Sequence, residues 1–282
     1  MQRRKINSYV TWVVYYVFAS FCCIIMLLPF LWTLSTSLKD FRDTFKFPPD
    51  WIPRSISWGN YLAAWKLVPF PRCFFNSIFV STSAALLTLI VCSMAAYAFA
   101  RMDFPGRSVL FLIYLSTMMI PSAVTLIPSF VIVKKLGWIN NYAGLIIPPA
   151  LGSVGFSTFL LRQFFISIPK ELEEAAIIDG CNQWKAYLNI ILPLSKSALA
   201  IVGLYMVIGN WNNLLWALVV ITKEEMKTLT LALATLTAAD LYVPPWNQLM
   251  AATIIAILPI MIAFAFTQRF FIKSITLSGL KG

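Results

Sequence analysis

Long uncharged apolar runs, separated by short polar segments, dominate this sequence of 282 residues. Six of the runs contain no Asp, Glu, Lys or Arg, and each reaches the roughly 20 residues that a helix needs to cross a bilayer. The runs extend over residues 11–38, 73–100, 108–133, 136–161, 197–222 and 241–268. They lack the two-residue alternation of a membrane barrel, and an open strand would leave backbone amides unpaired in lipid. Each run therefore predicts a helix.

We predict an all-α integral membrane protein with one transmembrane domain over residues 1–282. Polar residues at the ends of the runs shorten the spans. We expect the spans at about residues 11–36, 75–100, 108–133, 141–161, 197–221 and 247–268. The composition, with 60% hydrophobic and 12% charged residues, agrees with a chain that is embedded in lipid.

Basic residues at the amino terminus indicate the orientation. Arg3, Arg4 and Lys5 precede the first run, which is too long for a signal-peptide core and has no small-residue cleavage site near its end. Basic flanks stay in the cytoplasm, and six spans return the chain to the side on which it starts. We therefore expect both termini in the cytoplasm. The other Lys and Arg residues are scattered over the loops, which favours lipid headgroups over nucleic acid as their neighbours.

The sequence lacks the residues that several classes of function require. The sequence contains no His, which excludes Ser-His-Asp catalysis and histidine-ligated zinc. It contains no Gly-x-x-x-x-Gly-Lys-Ser/Thr loop for nucleotide phosphates. None of the six runs contains a carboxylate, whereas ion-coupled carriers use buried ionisable groups within their spans. We predict that the chain is not an enzyme, has no catalytic residue and binds no metal or cofactor, and that its energy source lies elsewhere.

A polar segment between the fourth and fifth runs, residues 162–196, is called the polar island below. Pro169 suits the first position of a helix, and the three glutamates that follow suit its opening turns because the helix dipole favours negative charge there. Gly180 suits the position after the helix end, where a positive φ is common. A second helix is predicted over about residues 182–192, with Pro193 ending it.

The first helix of the island is predicted to have an acidic face. Four residues share one side through i, i+3, i+4 and i+7 spacing, namely Glu171, Glu174, Ala175 and Ile178. Ala175 and Ala176 leave room for the close approach of another surface. A helix that rests on lipid headgroups is the alternative, but such a helix is normally basic because glutamates repel an anionic leaflet. The pattern therefore favours docking on a protein.

The spacing within the island resembles a known motif. Glu174-Ala175-Ala176 is followed after three residues by Gly180 and after nine more by Ile190-x-Leu192-Pro193, which resembles the EAA loop of permease subunits of bacterial ATP-binding-cassette (ABC) importers. Other segments are similar to the maltose-transporter-type family of sugar permeases over essentially the whole chain. They are residues 29–32, 37–39, 76–77, 97–101, 104–107, 120–121, 126–128, 136–138 and 211–212.

The resemblance implies a type I ABC importer permease fold in a bacterial plasma (inner) membrane. It implies that the chain forms half of a carbohydrate pathway by alternating access with a second, non-identical permease subunit. Two ATPase subunits would bind ATP and Mg, and an extracytoplasmic solute-binding protein would deliver the sugar. In this family the EAA helix contacts the ATPase, so Glu174 is expected to pair with a basic group there. The residues expected to couple to the ATPase are Glu171, Glu174, Ala175, Ala176, Asp179, Gly180, Ile190, Leu192 and Pro193.

Three further segments have predicted roles. Uncharged hydrogen-bonding groups beside an indole suit a hydroxyl-rich ligand, although interhelical hydrogen bonds are the alternative. These groups are Asn210, Trp211, Asn212 and Asn213. By resemblance, Pro244, Pro245 and Trp246 lie in the loop that contacts the solute-binding protein, with a plain surface turn as the alternative. Residues 276–282 resemble family tails that reach between the ATPase subunits, with a disordered terminus as the alternative.

Two other classes of function stay open at this point. A self-sufficient channel or ion-coupled carrier is the main alternative, and the absence of carboxylates from the spans and the docking pattern of the island weigh against it. A membrane-embedded enzyme would need histidine or paired carboxylates within the spans.

Overall fold

The computed structural model describes residues 2–238 and 244–279, with side chains described over residues 11–237 and 244–270. These residues form helices and turns and no β-strand. The helices are α1 (Gln2–Ser37), α2 (Phe41–Thr44), α3 (Gly59–Leu67), α4 (Phe70–Arg101), α5 (Arg107–Ser116), α6 (Ser122–Lys135), α7 (Tyr142–Gly152), α8 (Val154–Ser167), α9 (Glu171–Ile178), α10 (Gln183–Ala186), α11 (Leu192–Leu194), α12 (Lys196–Trp211), α13 (Leu214–Val220), α14 (Leu229–Ala238) and α15 (Trp246–Gly279). Short 3₁₀ turns occupy Thr117–Met119 and Glu224–Met226, and a π-helical turn occupies Tyr187–Ile191.

Three helical segments are long and apolar enough to cross a bilayer by themselves: Thr11–Ser37, Phe70–Arg101 and Trp246–Phe270. Three further crossings each need a pair of helices, which are bent against each other by 97°, 48° and 77°. The pairs are Arg107–Met119 with Ser122–Lys135, Tyr142–Gly152 with Val154–Ser167, and Gln183–Leu194 with Lys196–Trp211. By length and composition, the described residues thus provide three spans, or six if each bent pair is one span.

One of the three bends has a clear local cause. At the 97° bend, Ile120 is extended, with φ −79° and ψ 116°, because the ring of Pro121 disfavours a helical conformation in the residue before it. At the 48° bend, Ser153 separates α7 from α8. The other prolines that interrupt the apolar runs lie inside continuous helices, namely Pro29, Pro128, Pro148, Pro149 and Pro259. Of the prolines named here, only Pro121 coincides with a break between two helices.

The chain divides into two compact units, residues 1–70 with 237–258, and residues 71–236 with 259–282. The first unit has a polar centre. The side-chain amide of Asn60 donates to the carbonyls of Ser37 at 2.9 Å and Lys39 at 2.7 Å. The amide of Asn247 donates to Oδ1 of Asn60 at 3.0 Å. Lys39 is almost fully buried, its Nζ lies 4.3 Å from the ring centroid of Trp32, and burial lowers the pKa of this amine.

Described residues of the second unit form two apolar clusters. One gathers around α4, α8 and α12 and includes the buried side chains Cys92, Leu161, Phe165, Ile191 and Val202. The other includes Val80, Val133, Trp216, Val220 and Leu231. Lipid tails are as apolar as leucine, so van der Waals packing rather than transfer out of water stabilises these clusters within the membrane.

Two polar side chains, Asn76 and Trp216, fix the second cluster through four hydrogen bonds. Asn76 is fully buried, donates to the carbonyls of Glu225 at 2.9 Å and Lys227 at 3.0 Å, and accepts a bond of 2.7 Å from the hydroxyl of Tyr142. The indole N–H of Trp216 donates to the carbonyl of Gly144 at 2.8 Å.

Gly144 itself allows a close approach of two backbone segments. A Cβ at this position would lie 2.3 Å from the carbonyl oxygen of Trp138. Only glycine therefore fits at this position of α7 without a shift of the neighbouring backbone.

Candidate functional site

The acidic helix predicted in the polar island is present as α9. Its first hydrogen bonds run to the carbonyl of Lys170 from the amides of Glu173 at 2.9 Å and Glu174 at 3.0 Å. All three glutamates of α9 lie in the first turn, where the helix dipole stabilises negative charge. Pro169 precedes Lys170 and lies outside the helix, so its prediction as the first helical residue is wrong. The proline instead favours the extended backbone of Ile168, which has ψ 132°.

The end of α9 has the geometry that the sequence predicted. Gly180 has φ +86°, which confirms the expected positive φ. The amide of Cys181 donates to the carbonyl of Ala176 at 2.9 Å, and the amide of Gly180 donates to that of Ile177 at 3.0 Å. This pair of bonds is a Schellman motif, which satisfies the last carbonyls of the helix. Among the described residues nothing lies within 4 Å of a Cβ built on Gly180, so conformation rather than space requires glycine there.

One face of α9 is exposed over its whole length. Four residues predicted to share this face are exposed, namely Glu171, Glu174, Ala175 and Ile178, and so is Asp179 beyond them. Ile178 is 85% exposed, although it is a large apolar residue in a polar segment. Exposed apolar surface that is surrounded by polar groups is typical of protein contact sites. Ala176 differs from its neighbour because it is only 8% exposed and packs against its own chain, so it does not belong to this face.

The second half of the island is more irregular than the predicted helix over residues 182–192. It consists of α10, the π-helical turn and α11, and Pro193 lies inside α11 rather than at a stop. Proline fits there because an amide in the first turn of a helix needs no partner within the helix. The break falls at Ser195, where the direction changes by 77°. Ile190 and Leu192 are half-buried, and Pro193 is exposed.

A buried polar cluster joins the end of α4 to the island, and we call it the Arg101 cluster (Tyr97, Arg101 and Glu173). The Tyr97 hydroxyl donates to Oε1 of Glu173 at 2.5 Å. Nε of Arg101 lies 3.6 Å from Oε2 of Glu173, in an ion pair whose side chains are 3% and 12% exposed. Nη2 of Arg101 donates to the carbonyls of Phe165 at 2.7 Å and Ile168 at 2.5 Å. The sequence analysis missed this cluster; the available signal was a tyrosine and an arginine at i, i+4 spacing on the last turn of a span.

The asparagine-rich segment of the predicted fifth span serves as a helix junction in the structure. Asn210 donates to the carbonyl of Met206 at 2.8 Å within α12, which ends at Trp211. The carbonyl of Trp211 accepts a bond of 2.7 Å from Thr230, and its ring is 5% exposed. Asn213 caps α13, and Asn212 is exposed. The described bonds of the Asn210 and Asn213 side chains are local rather than interhelical, and only the carbonyl of Trp211 is bonded from another helix. A role of the segment in the substrate pathway stays a prediction.

Two other predictions concern the start and the end of α15. Pro244 and Pro245 directly precede the helix, and Trp246, its first residue, is 37% exposed. The carbonyls of the two prolines accept bonds from the amides of Trp246 at 2.8 Å and Leu249 at 2.9 Å. Contact of this segment with a binding protein stays a prediction. For the predicted tail, residues 280–282 and the side chains of residues 276–279 lie outside the described residues.

Bent apolar helices joined by a polar island with an exposed acidic face fit a multi-pass membrane transport permease. Comparison with known proteins agrees with this class. A family model described as the inner membrane component of binding-protein-dependent transport systems matches residues 93–277. The chain belongs to this family, and it is a transport permease rather than an enzyme.

Several curated relatives align over most of this chain. The arabinooligosaccharides transport system permease protein AraQ of Halalkalibacterium halodurans is 33% identical over 99% of this chain and 100% of its own length. The trehalose/maltose transport system permease protein MalG of Thermococcus litoralis is 31% identical over 92% of this chain and 93% of its own. The sn-glycerol-3-phosphate transport system permease protein UgpE of Pectobacterium atrosepticum is 31% identical over 84% of this chain and 85% of its own length.

A solved structure shares the fold. It is a chain of a bacterial ABC transporter involved in the import of the acidic polysaccharide alginate, with 25% identity and a TM-score of 0.81 over 94% of this chain and 98% of that chain. These comparisons confirm the predicted all-α fold of a type I ABC importer permease, and they do not favour the alternative of a self-sufficient channel or ion-coupled carrier.

Proposed function

We propose that this chain is the transmembrane permease subunit of an ATP-driven carbohydrate importer and forms half of its translocation pathway. The observation that carries the proposal is the exposed face of α9, where carboxylates and the apolar Ile178 project from a chain of the permease family. The names of the relatives support a carbohydrate or a glycerol phosphate as the class of substrate. The sequence provides no nucleotide-binding loop, so in an ATP-driven importer a partner must bind the ATP.

The assembly that fits this role contains this chain and three other kinds of component. A second, non-identical permease subunit completes the pathway, two ATPase subunits bind ATP and Mg, and a solute-binding protein delivers the sugar. The complex resides in a bacterial inner membrane. The polar island and both chain termini face the cytoplasm, where the ATPase subunits are, and the segment around Trp246 faces the binding protein on the opposite side.

Coupling follows from the chemistry of the exposed face. The carboxylate of Glu174 accepts charge-assisted hydrogen bonds from a basic side chain of the ATPase, and these are stronger than bonds between neutral groups. Ala175 allows the two backbones to approach closely, and Ile178 is covered by apolar groups in the contact. When the ATPase subunits close around ATP, α9 moves with them. The spans that are packed against the island then rearrange, and the pathway changes its access from one side of the membrane to the other.

Substitution of Glu174 tests the proposal. Breaking a largely buried pair costs about 3–5 kcal/mol, so Glu174→Ala should reduce binding of the ATPase subunits more than a hundredfold. The readouts are co-purification of the ATPase subunits and uptake of a panel of radiolabelled mono- and oligosaccharides by vesicles that contain the full complex. The matched control is Asp103→Ala, because Asp103 is also an exposed carboxylate but lies outside the island, where it pairs with Arg107 of its own chain. Unchanged co-purification and uptake in Glu174→Ala would refute the proposal.

A second experiment separates an importer subunit from a self-sufficient carrier. The chain is reconstituted alone into vesicles and tested with the same panel of sugars. The proposed function predicts no accumulation, and accumulation driven by an ion gradient would contradict it.

A further inference from the structure

We propose that the Arg101 cluster transmits the movement of α9 to α4, so that Tyr97, Arg101 and Glu173 are positioning residues for transport. The inference rests on the proposed function, in which an ATPase binds the exposed face of α9. It assigns different tasks to two adjacent glutamates. Glu174 contacts the ATPase, and Glu173 binds the membrane-spanning part of its own chain.

The two glutamates project from different sides of α9. Successive residues of an α-helix are rotated by about 100°, so Glu173 is directed away from the face that contains Glu174. The side chain of Glu173 is 12% exposed and is in contact with Tyr97 and Arg101, whereas Glu174 is exposed. A partner therefore reaches Glu174 and does not reach the carboxylate of Glu173.

Arg101 connects the ends of three helices. It is the last residue of α4, and its Nη2 donates to two carbonyls at the end of α8, those of Phe165 and Ile168. A cation suits this position because the last carbonyls of a helix have no partner within the helix and carry partial negative charge. Its Nε has no hydrogen-bond partner among the described residues, and the carboxylate of Glu173 is the opposite charge beside it at 3.6 Å. Without Glu173 the buried guanidinium would lose its counter-ion.

Tyr97 extends the connection to the second half of the island. Besides its bond to Glu173, its hydroxyl lies 3.3 Å from the carbonyl of Gln183 at the start of α10. Its ring packs against that of Tyr187 with centroids 5.1 Å apart, and the hydroxyl of Tyr187 lies 2.8 Å from that of Ser93 in α4. The last three turns of α4 are thus bonded to α8, α9, α10 and the π-helical turn.

The shape of α4 explains why this connection matters for transport. The helix runs without a break for 32 residues, which corresponds to about 48 Å and exceeds the thickness of the hydrocarbon core. A displacement applied at Arg101 is therefore carried to the opposite end of the helix. Near its middle, the hydroxyl of Thr88 donates to the carbonyl of Ala150 at 3.0 Å, which couples α4 to α7.

The test compares Glu173→Gln with Glu174→Gln in the complete complex, reconstituted in vesicles with its ATPase subunits, second permease and binding protein. Glutamine keeps the size of the side chain and removes the charge. We expect Glu173→Gln to bind the ATPase within twofold of the unchanged protein and to transport at least tenfold less sugar for each ATP hydrolysed. Its melting temperature should fall, because the buried guanidinium of Arg101 loses its counter-ion. Glu174→Gln should instead lose the ATPase. Asp103→Asn, an exposed carboxylate outside the island, is the matched control and should leave all three readouts unchanged.

A second readout needs no transported sugar. A cysteine is placed at Arg72, an exposed residue at the start of α4, in a cysteine-free background, and its labelling rate by a water-soluble maleimide is measured with and without ATP. We expect ATP to change this rate in the unchanged complex, and Glu173→Gln to reduce the change at least threefold. Arg101→Lys retains the positive charge and a donor, so it should keep more of the change than Arg101→Gln.

Four results would overturn the inference: no ATP-dependent change at position 72 in the unchanged complex, an unaltered transport ratio in Glu173→Gln, loss of the ATPase in Glu173→Gln, or a fall of ATPase activity in parallel with transport. The failure of the proposed function is distinguishable, because it appears as normal ATPase binding in Glu174→Gln.

Discussion

Gly180 provides a sharp test of the turn that ends α9. Its φ of +86° lies in the left-handed region, which costs a residue with a Cβ about 1–2 kcal/mol. Nothing among the described residues lies within 4 Å of the position that a Cβ would occupy, so no steric cost is added. Gly180→Ala should therefore destabilise the turn by the conformational term alone, about 1–2 kcal/mol, which is a factor of roughly 5–30 in an equilibrium.

The measurement is the affinity of the ATPase subunits for the permease complex in nanodiscs, because a displaced turn would misplace the exposed face of α9. We expect Gly180→Ala to weaken binding by roughly 5–30-fold, and Gly180→Asn to weaken it less because asparagine tolerates the left-handed region better. Gly106→Ala is the matched control: Gly106 has φ +79° and equally open surroundings, but it lies outside the island. Equal losses for alanine and asparagine, or no loss for alanine, would refute the reasoning.

Further predictions concern the second unit of the chain. Asn76→Ala removes three buried hydrogen bonds and should lower stability by about 2–4 kcal/mol, which is measured as a lower melting temperature in detergent. Gly144→Ala forces a Cβ against a backbone carbonyl and should cost about 1–3 kcal/mol, whereas Gly152→Ala in the same helix has open space and should melt within a degree or two of the unchanged protein. Trp216→Phe removes one buried hydrogen bond and should lower the free energy of unfolding by about 1 kcal/mol, which is measured by the same melting experiment.

The sequence was sufficient to predict where apolar helices lie, because their composition alone requires lipid or a packed interior. It was not sufficient to predict which apolar runs are continuous. Pro121 coincides with a bend of 97°, whereas Pro148 and Pro149 lie inside α7 and the neighbouring bend falls at Ser153. A proline removes one hydrogen bond, and the packing of neighbouring helices decides whether the helix then bends or continues.

The candidate site shows the same limit at the level of single residues. Helical spacing correctly predicted the exposed face of α9 and the positive φ of Gly180, because both depend on residues close together in the sequence. The contacts of Glu173 with Tyr97 and Arg101 join residues more than 70 positions apart, and no local pattern indicates such a pairing. Ala176 was grouped with Ala175 for its small size alone, and the structure separates the two by burial.

The side chains of Glu173 and Glu174 point about 100° apart around the axis of α9, and this limits how the length of the helix can vary in related proteins. Deleting one residue near the start of the helix turns everything after it by about 100°, so that Glu174 would take the place of Glu173 and Ala175 that of Glu174. The internal ion pair would survive such a deletion, and the outward carboxylate would be lost. Between Pro169 and Gly180 we therefore expect relatives to tolerate substitutions far more readily than insertions or deletions.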